Sequence, residues 1–189
     1  MRKIIITIIC ITCLSTISYA QESKTIDLQK SKIIWEGSKL FGFGSHDGTV
    51  NFKEGKIIKN NDQIIGGQFV IDMTSIKSNE NEGWVKDLVD HLKGKDFFDV
   101  ENNSTAKIIF TNIKHVGDYY MQITADLTIN KITKSVFFVA KLNDLNTQLE
   151  TRLKIDRTEW NITYKSQGKT SIKDQIISDA ITFKINLNF

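Results

Sequence analysis

The sequence predicts an all-β protein, a single antiparallel barrel of roughly eight strands with one helix at about residues 80–93. Three observations carry that prediction. After residue 20, apolar and polar residues alternate over most of the chain, the period of strands with one buried face. The alternation gives way once, between Ser78 and Gly94, to helical spacing. The final row, Ile181, Phe183, Ile185, Leu187 and Phe189, runs flush to the terminus, as a strand needed to close a sheet would. Long one-sided strands favour a barrel over a sandwich.

The first twenty residues stand apart. Arg2 and Lys3 precede an apolar run from Ile4 to Ile17, and Ser18-Tyr19-Ala20 is a small-x-small ending. This is the pattern of a secretory signal cleaved after Ala20, which leaves one domain over residues 21–189. The apolar run is shorter than the ~20 residues of a spanning helix, so no stable membrane span is expected. Cys10 and Cys13 leave with the signal, and the remaining domain has neither disulfide nor thiolate metal site. The chain holds 25 basic and 22 acidic residues, and without Arg2 and Lys3 it is nearly neutral. That balance argues against nucleic acid or an anionic membrane surface as partner. Oligomeric state is left open, a dimer included.

Along the chain, Ile33, Trp35 and Gly37 share the inner face of the first clear strand. After Phe41-Gly42-Phe43-Gly44, the residues His46, Gly48, Val50 and Phe52 share one parity. Asn60-Asn61-Asp62 reads as a turn, and Gly67, Phe69, Ile71 and Met73 form the next inward row. In the helical stretch, Trp84, Val85, Leu88, Val89 and Leu92 form one apolar arc. Asn79 with Glu82 resembles a capping box, and Gly94 suits the position after the helix. His91 projects about 20° from Trp84 at the edge of the arc. Further on, Ile108 and Phe110 share a face, and Met121, Ile123, Ala125, Leu127 and Ile129 alternate with polar residues. Asn130-Lys131 is a tight hairpin turn leading into Val136, Phe138, Ala140 and Leu142. Leu149, Thr151, Leu153 and Ile155 form another inward row, and Lys165 to Lys173 reads as an irregular loop.

Some residues break the pattern. Arg157 continues the inward parity of Ile155, and an inward guanidinium must be paired. It either anchors a polar or anionic head group through two parallel hydrogen bonds, or forms a structural ion pair with a carboxylate such as Asp87 or Asp96. His46 also lies on an inward parity, whereas His115 shares parity with Lys107 and Thr111 and is expected to face solvent. The three histidines carry no metal-ligand spacing, so no metal is expected. Phe97 and Phe98 either line a ligand entrance or plug one end of the barrel. No nucleophile elbow, phosphate loop or metalloprotease helix is present, and no enzymatic activity is expected.

Four motifs in order carry a resemblance: His46-Asp47-Gly48-Thr49-Val50-Asn51-Phe52, His91-Leu92-Lys93-Gly94-Lys95-Asp96-Phe97-Phe98-Asp99-Val100, Leu127-Thr128-Ile129-Asn130-Lys131-Ile132-Thr133-Lys134, and Asp156-Arg157-Thr158-Glu159-Trp160. From about Thr25 to Phe189 the chain resembles the YceI-like family of secreted bacterial proteins. It departs from the family's usual glycine at Lys131 and Asn161 and from a proline near Ser104. The resemblance implies a lipocalin-like barrel that binds a polyisoprenoid or other long-chain amphiphile, with no other cofactor and a quinone-like lipid among the expected ligands. Periplasmic or secreted localisation follows from the signal. The tail is then expected against Trp35, Phe69, Ile108, Phe110, Ile123, Leu127, Phe138, Leu153 and Phe183. The head is expected near His46, His91 and Arg157, with Phe97 and Phe98 closing the rim. A ligand-free structural or stress-related interaction module, with a filled barrel, is the competing expectation.

Overall fold

The computed structural model describes residues 21–40, 44–81, 83–169 and 176–189. The expected secretory segment, Phe41-Gly42-Phe43, Glu82 of the expected capping box and the end of the Lys165–Lys173 loop lie outside the described residues. Nine strands are described: β1 Gln21–Thr25, β2 Lys32–Ser38, β3 Ser45–Asn60, β4 Gln63–Ser78, β5 Thr105–Val116, β6 Tyr120–Ile129, β7 Ile132–Leu142, β8 Gln148–Asp156 and β9 Ala180–Asn188. Helix α1, Val85–Lys93, lies between β4 and β5, and a 3-10 turn, Arg157–Trp160, follows β8. Every pairing is antiparallel. The ring β2-β9-β8-β7-β6-β5-β4-β3 closes on β2, so eight strands form the barrel and β1 is extra. Among the described residues no helix is long and apolar enough to cross a membrane.

β3 makes closure possible. At 16 residues it pairs with β2 over Ser45–Val50 and with β1 over Lys56–Asn60, while β4 runs along its other edge. Register shifts between Thr49 and Asn51, between Phe52 and Glu54, and between Ile58 and Lys59 bend it around the ring. Each shift can also change which face a residue occupies. After the second, Gly55, Ile57 and Lys59 are the buried residues of β3, whereas Gly48, Val50 and Phe52 are buried before it. The buried Lys59 is the consequence. Its Nζ donates to the Asn146 carbonyl at 2.8 Å and lies 5.1 Å from the Phe189 ring centroid, and burial lowers its pKa.

A similar shift between Phe110 and Asn112 corrects the expectation for His115. Beyond it, Ile113 and His115 stand opposite Ile123 and Met121, and His115 is half-buried with its Nε2 donating to the Ile64 carbonyl at 2.9 Å. The β6–β7 turn behaves as expected for a tight hairpin, with Asn130 at φ 49° and Lys131 at φ 63°. Asn161, at φ 61°, is likewise left-handed, so both positions where the family usually has glycine demand that conformation here.

The helix starts at Val85, later than the expected residue 80. Asn79 is bonded to Asp47: its Nδ2 donates to the Asp47 carboxylate at 2.6 Å and its N–H donates to the Asp47 carbonyl at 3.1 Å. The segment before α1 is thereby tied to β3, and Trp84 is the N-cap without a side-chain cap bond. Gly94 ends the helix in an extended conformation, φ −73° and ψ 175°, and not the left-handed one. No residue of α1 is fully buried.

The wall is not uniformly hydrogen-bonded. β8 pairs with β9 at nine positions, but with β7 only over Leu149–Thr151 against Ala140–Leu142. Near this seam the Thr151 hydroxyl donates to the Val139 carbonyl at 2.8 Å, and the buried Trp160 donates its Nε1–H to the Leu127 carbonyl at 3.2 Å. Side chains continue the wall where the ladder stops.

Gly48 shows how tightly the β2–β3–β4 corner is packed. A Cβ there would lie 1.9 Å from the Lys77 carbonyl oxygen and 2.6 Å from the Trp35 ring. Because the obstacle is backbone, Gly48→Ala is expected to cost about 3 kcal/mol, the upper end of ordinary overpacking. Urea unfolding should show the loss as a lower midpoint at unchanged slope.

Candidate ligand cavity

Inside the barrel is one cavity of about 260 Å³ whose walls are almost wholly apolar. Strand periodicity creates it. Inward rows on neighbouring strands, such as Ile33 and Trp35, Phe69 and Ile71, and Phe183 and Ile185, face one another across the ring. Polar lining residues gather where β2 ends and β3 begins: Ser38, Lys39, His46, Arg157 and Ser178. Lower down only Thr151 is polar, and its hydroxyl is spent on Val139.

The mouth is covered by α1 and the segment after it. Leu88 and Leu92 face the cavity, and Phe97 and Phe98 are buried beneath them. Backbone bonds set the two rings: Phe97 N–H to Gly94 O at 3.1 Å, Phe98 N–H to Leu92 O at 3.1 Å and Val100 N–H to Lys93 O at 2.9 Å. The β6–β7 turn joins in, with Asn130 Nδ2 donating to the Phe97 carbonyl at 3.0 Å. The phenylalanine pair both plugs the barrel end and lines the cavity.

Arg157 is the decisive polar residue, with no exposed surface. Its Nε donates to Ser178 O at 3.1 Å, its Nη1 to Ile162 O at 2.7 Å, and its Nη2 to Ile177 O and Asp179 Oδ1, both at 3.2 Å. The ring of Phe97 lies 5.7 Å from the guanidinium. Burial draws the pKa of Arg157 down, and Asp179 and Asp156 draw it back up. An arginine stays charged throughout. The carboxylate partner is therefore Asp179, and neither Asp87 nor Asp96. Four of the five guanidinium donors are committed within the chain, so the group works first as a clamp on the segments around Ile162 and Ile177–Asp179.

His46 borders the cavity at the mouth. Its Nδ1 is 3.1 Å from Glu80 Oε1, and its ring meets Trp84 edge-on at 5.0 Å. His91 does not border the cavity, because the helix carries it to the outer side of the mouth. There its Nε2 is 3.2 Å from Asp96 Oδ2 and its ring stands edge-on to Phe97 at 5.1 Å and Tyr164 at 4.6 Å. The histidine thus bears on the phenylalanine plug from behind. Ile123 also falls outside the cavity; it is fully buried on β6. Trp35, Phe69, Ile108, Phe110, Leu127, Phe138, Leu153, Phe183, Phe97, Phe98, His46 and Arg157 all line it. Residues missed in the sequence include Phe52, Leu88, Lys39 and Glu80. Leu88 lay in the apolar arc and Phe52 in an inward row, so both were visible as core; Glu80 and Asp179 gave no sequence signal of their partners. Among the described residues no three histidine, cysteine or acidic side chains converge on a metal-sized site.

The profile of the YceI-like domain family matches residues 25–189. A UPF0312 protein of Photorhabdus laumondii is 30% identical over 138 residues, 72% of this chain and 62% of that protein. A UPF0312 protein of Pseudomonas putida is 40% identical over 53 residues, 28% of each chain. The chain therefore spans less than two thirds of the length of these curated relatives in the matched region. Among solved structures, Burkholderia cenocepacia BcnA superimposes with a TM-score of 0.68 at 22% identity, covering 86% of this chain and 98% of that one. A Campylobacter jejuni YCEI protein gives 0.57 at 15% identity, covering 80% and 89%. Both share the fold.

The clamp makes a direct prediction. Arg157→Met leaves three carbonyls and Asp179 without their donor and should cost about 3–5 kcal/mol, as breaking a buried ion pair does. Arg157→Lys restores the charge without the fork and should recover only a minor part. Urea unfolding measures the loss, and hydrogen exchange should quicken first at residues 162–169 and 176–179. A cost below about 1 kcal/mol, the level of an exposed pair, would rule the clamp out.

Proposed function

The chain belongs to the YceI-like domain family, and from that premise we propose that it is a non-catalytic carrier or store for an amphiphilic lipid, a polyisoprenoid or quinone-like molecule, held tail-first in the barrel. One observation carries the reading: apart from Thr151, whose hydroxyl is bonded to Val139, the cavity is apolar along its depth, and its other polar lining residues gather at its mouth. An amphiphile has the same division. Each buried methylene contributes about 0.8 kcal/mol, so a tail alone supplies useful affinity. The head group rests against Lys39 and His46, since Arg157 has most of its donors occupied. Helix α1, with no fully buried residue, is the element that moves for the ligand to enter. The expected secretory segment accords with a periplasmic or secreted carrier.

Protein purified without detergent should release a lipid on organic extraction, identified by mass spectrometry. After extraction it should take up a fluorescent prenyl probe at one site per chain. No lipid together with no uptake would favour an interaction module acting through its surface. Export makes its own prediction: N-terminal sequencing of the exported protein should begin at Gln21.

A further inference from the structure

Basic side chains border the cavity at its mouth, and the acids beside them do not. Lys39, His46 and Arg157 line it, and among the described residues no aspartate or glutamate does. Two of these bases have a carboxylate partner set off the lining: His46 Nδ1 lies 3.1 Å from Glu80 Oε1, and Arg157 Nη2 lies 3.2 Å from Asp179 Oδ1. A head group in the mouth therefore meets the basic member of each pair. Lys39 is the third base, and it is exposed. Among the described residues no carboxylate lies within ion-pair distance of its ammonium.

Lys39 and Arg157 are held by the same stretch of chain. Lys39 pairs with Ile177 in an antiparallel bridge, flanked by Leu40 N–H donating to Ile176 O and Ser178 N–H donating to Ser38 O, both at 2.9 Å. Arg157 donates to Ile177 O at 3.2 Å and to Ser178 O at 3.1 Å. Hydrogen-bond donors gather around the two cations. The Ser178 hydroxyl oxygen accepts from Ala180 N–H at 3.2 Å, which leaves its own hydrogen to donate. Ser38 brings a second hydroxyl to the lining, and Arg157 retains one donor beyond the four committed within the chain.

We propose that the head group this barrel takes is anionic, a phosphate monoester or carboxylate at the end of the apolar tail, seated on Lys39 beside the Ser38 and Ser178 hydroxyls. The proposal rests on the lipid-binding reading above and narrows it from neutral prenols and quinones to charged amphiphiles. Anionic oxygens accept several hydrogen bonds at once, which is what a mouth furnished with donors offers. Because Lys39 is exposed, its pairing with the head avoids the desolvation cost that a buried ammonium carries. A cationic head meets repulsion at the same place.

The test uses lipid-stripped protein and four ligands with one tail: farnesol, farnesyl monophosphate, farnesoic acid and farnesylamine, read by displacement of a neutral fluorescent prenyl probe. The tail is common to all four, so the differences report the head. At least one of the two anions should bind about tenfold or more tighter than farnesol, the worth of a charge-assisted hydrogen bond, and the tighter anion identifies the head. Farnesylamine should bind more weakly than farnesol. Lys39→Gln should remove most of the preference for the anion and change farnesol by less than about twofold. Lys32→Gln removes the same charge from an exposed position at the opposite end of β2 and should leave all four unchanged. Anions bound no tighter than farnesol, a Lys39→Gln loss shared equally by alcohol and anion, or an equal loss in Lys32→Gln overturns the anionic head alone. Failure of the probe and all four ligands to bind overturns the lipid-binding reading and the head assignment with it.

Discussion

A guanidinium without access to water has to find its hydrogen bonds within the chain, and the mouth of this barrel is arranged around that requirement. Arg157 stands where β8 ends, and its acceptors come from Ile162 on one side and from Ile177, Ser178 and Asp179 on the other. The same bonds hold the start of β9 against the end of β8, where Arg157 N–H also donates to Asp179 O at 2.8 Å. Phe97 leans on the guanidinium, so the plug inherits its position from the clamp. The charge is retained at a large desolvation cost because no neutral side chain of that shape supplies four directed donors.

Closure imposes the second constraint. An eight-strand ring needs bent strands, and β3, β4 and β5 bend at register shifts. Those shifts explain why the sequence was legible for the fold and less so for individual residues. Strict alternation located the inward rows on β2, β6, β8 and β9, and these rows are buried or line the cavity as expected. The same rule fails on β3 past the shift between Phe52 and Glu54 and on β5 past the shift between Phe110 and Asn112, which is why Lys59 and His115 turn out on the inner side. No residue type marks a bulge in advance, because either neighbour of the extra residue can host it.

The helix and its surroundings illustrate a different limit. An apolar arc from Trp84 to Leu92 is a local property and readable; where the helix begins is not, since the bond of Asn79 to Asp47 on β3 is non-local. The pairing of Arg157 with Asp179 is non-local in the same way. His91 was placed near the cavity because it sits at the edge of the arc, yet edge position on a helix lying across a mouth can face either the interior or the neighbouring loop. Tyr164 and Phe97 decide in favour of the loop. The histidine acts through the plug it supports.

The barrel is divided across its ring. Towards the far end of the β3–β6 side, Ile57, Ile64, Met121 and Ile123 pack without access to solvent, and Lys59 lies against the Phe189 ring. On the side of β2, β9 and β8 the inward side chains leave a cavity that reaches Ile33, Leu187 and Leu149, covered at the mouth by a helix that buries none of its residues completely. The packed side keeps the ring closed while the other tolerates the seam where β7 and β8 part. A barrel filled throughout would have no room for a tail, and one hollow throughout would lose the packing that offsets its folding entropy. How far round the ring the packed β3–β6 side reaches thus sets how much of the barrel is core and how much is site.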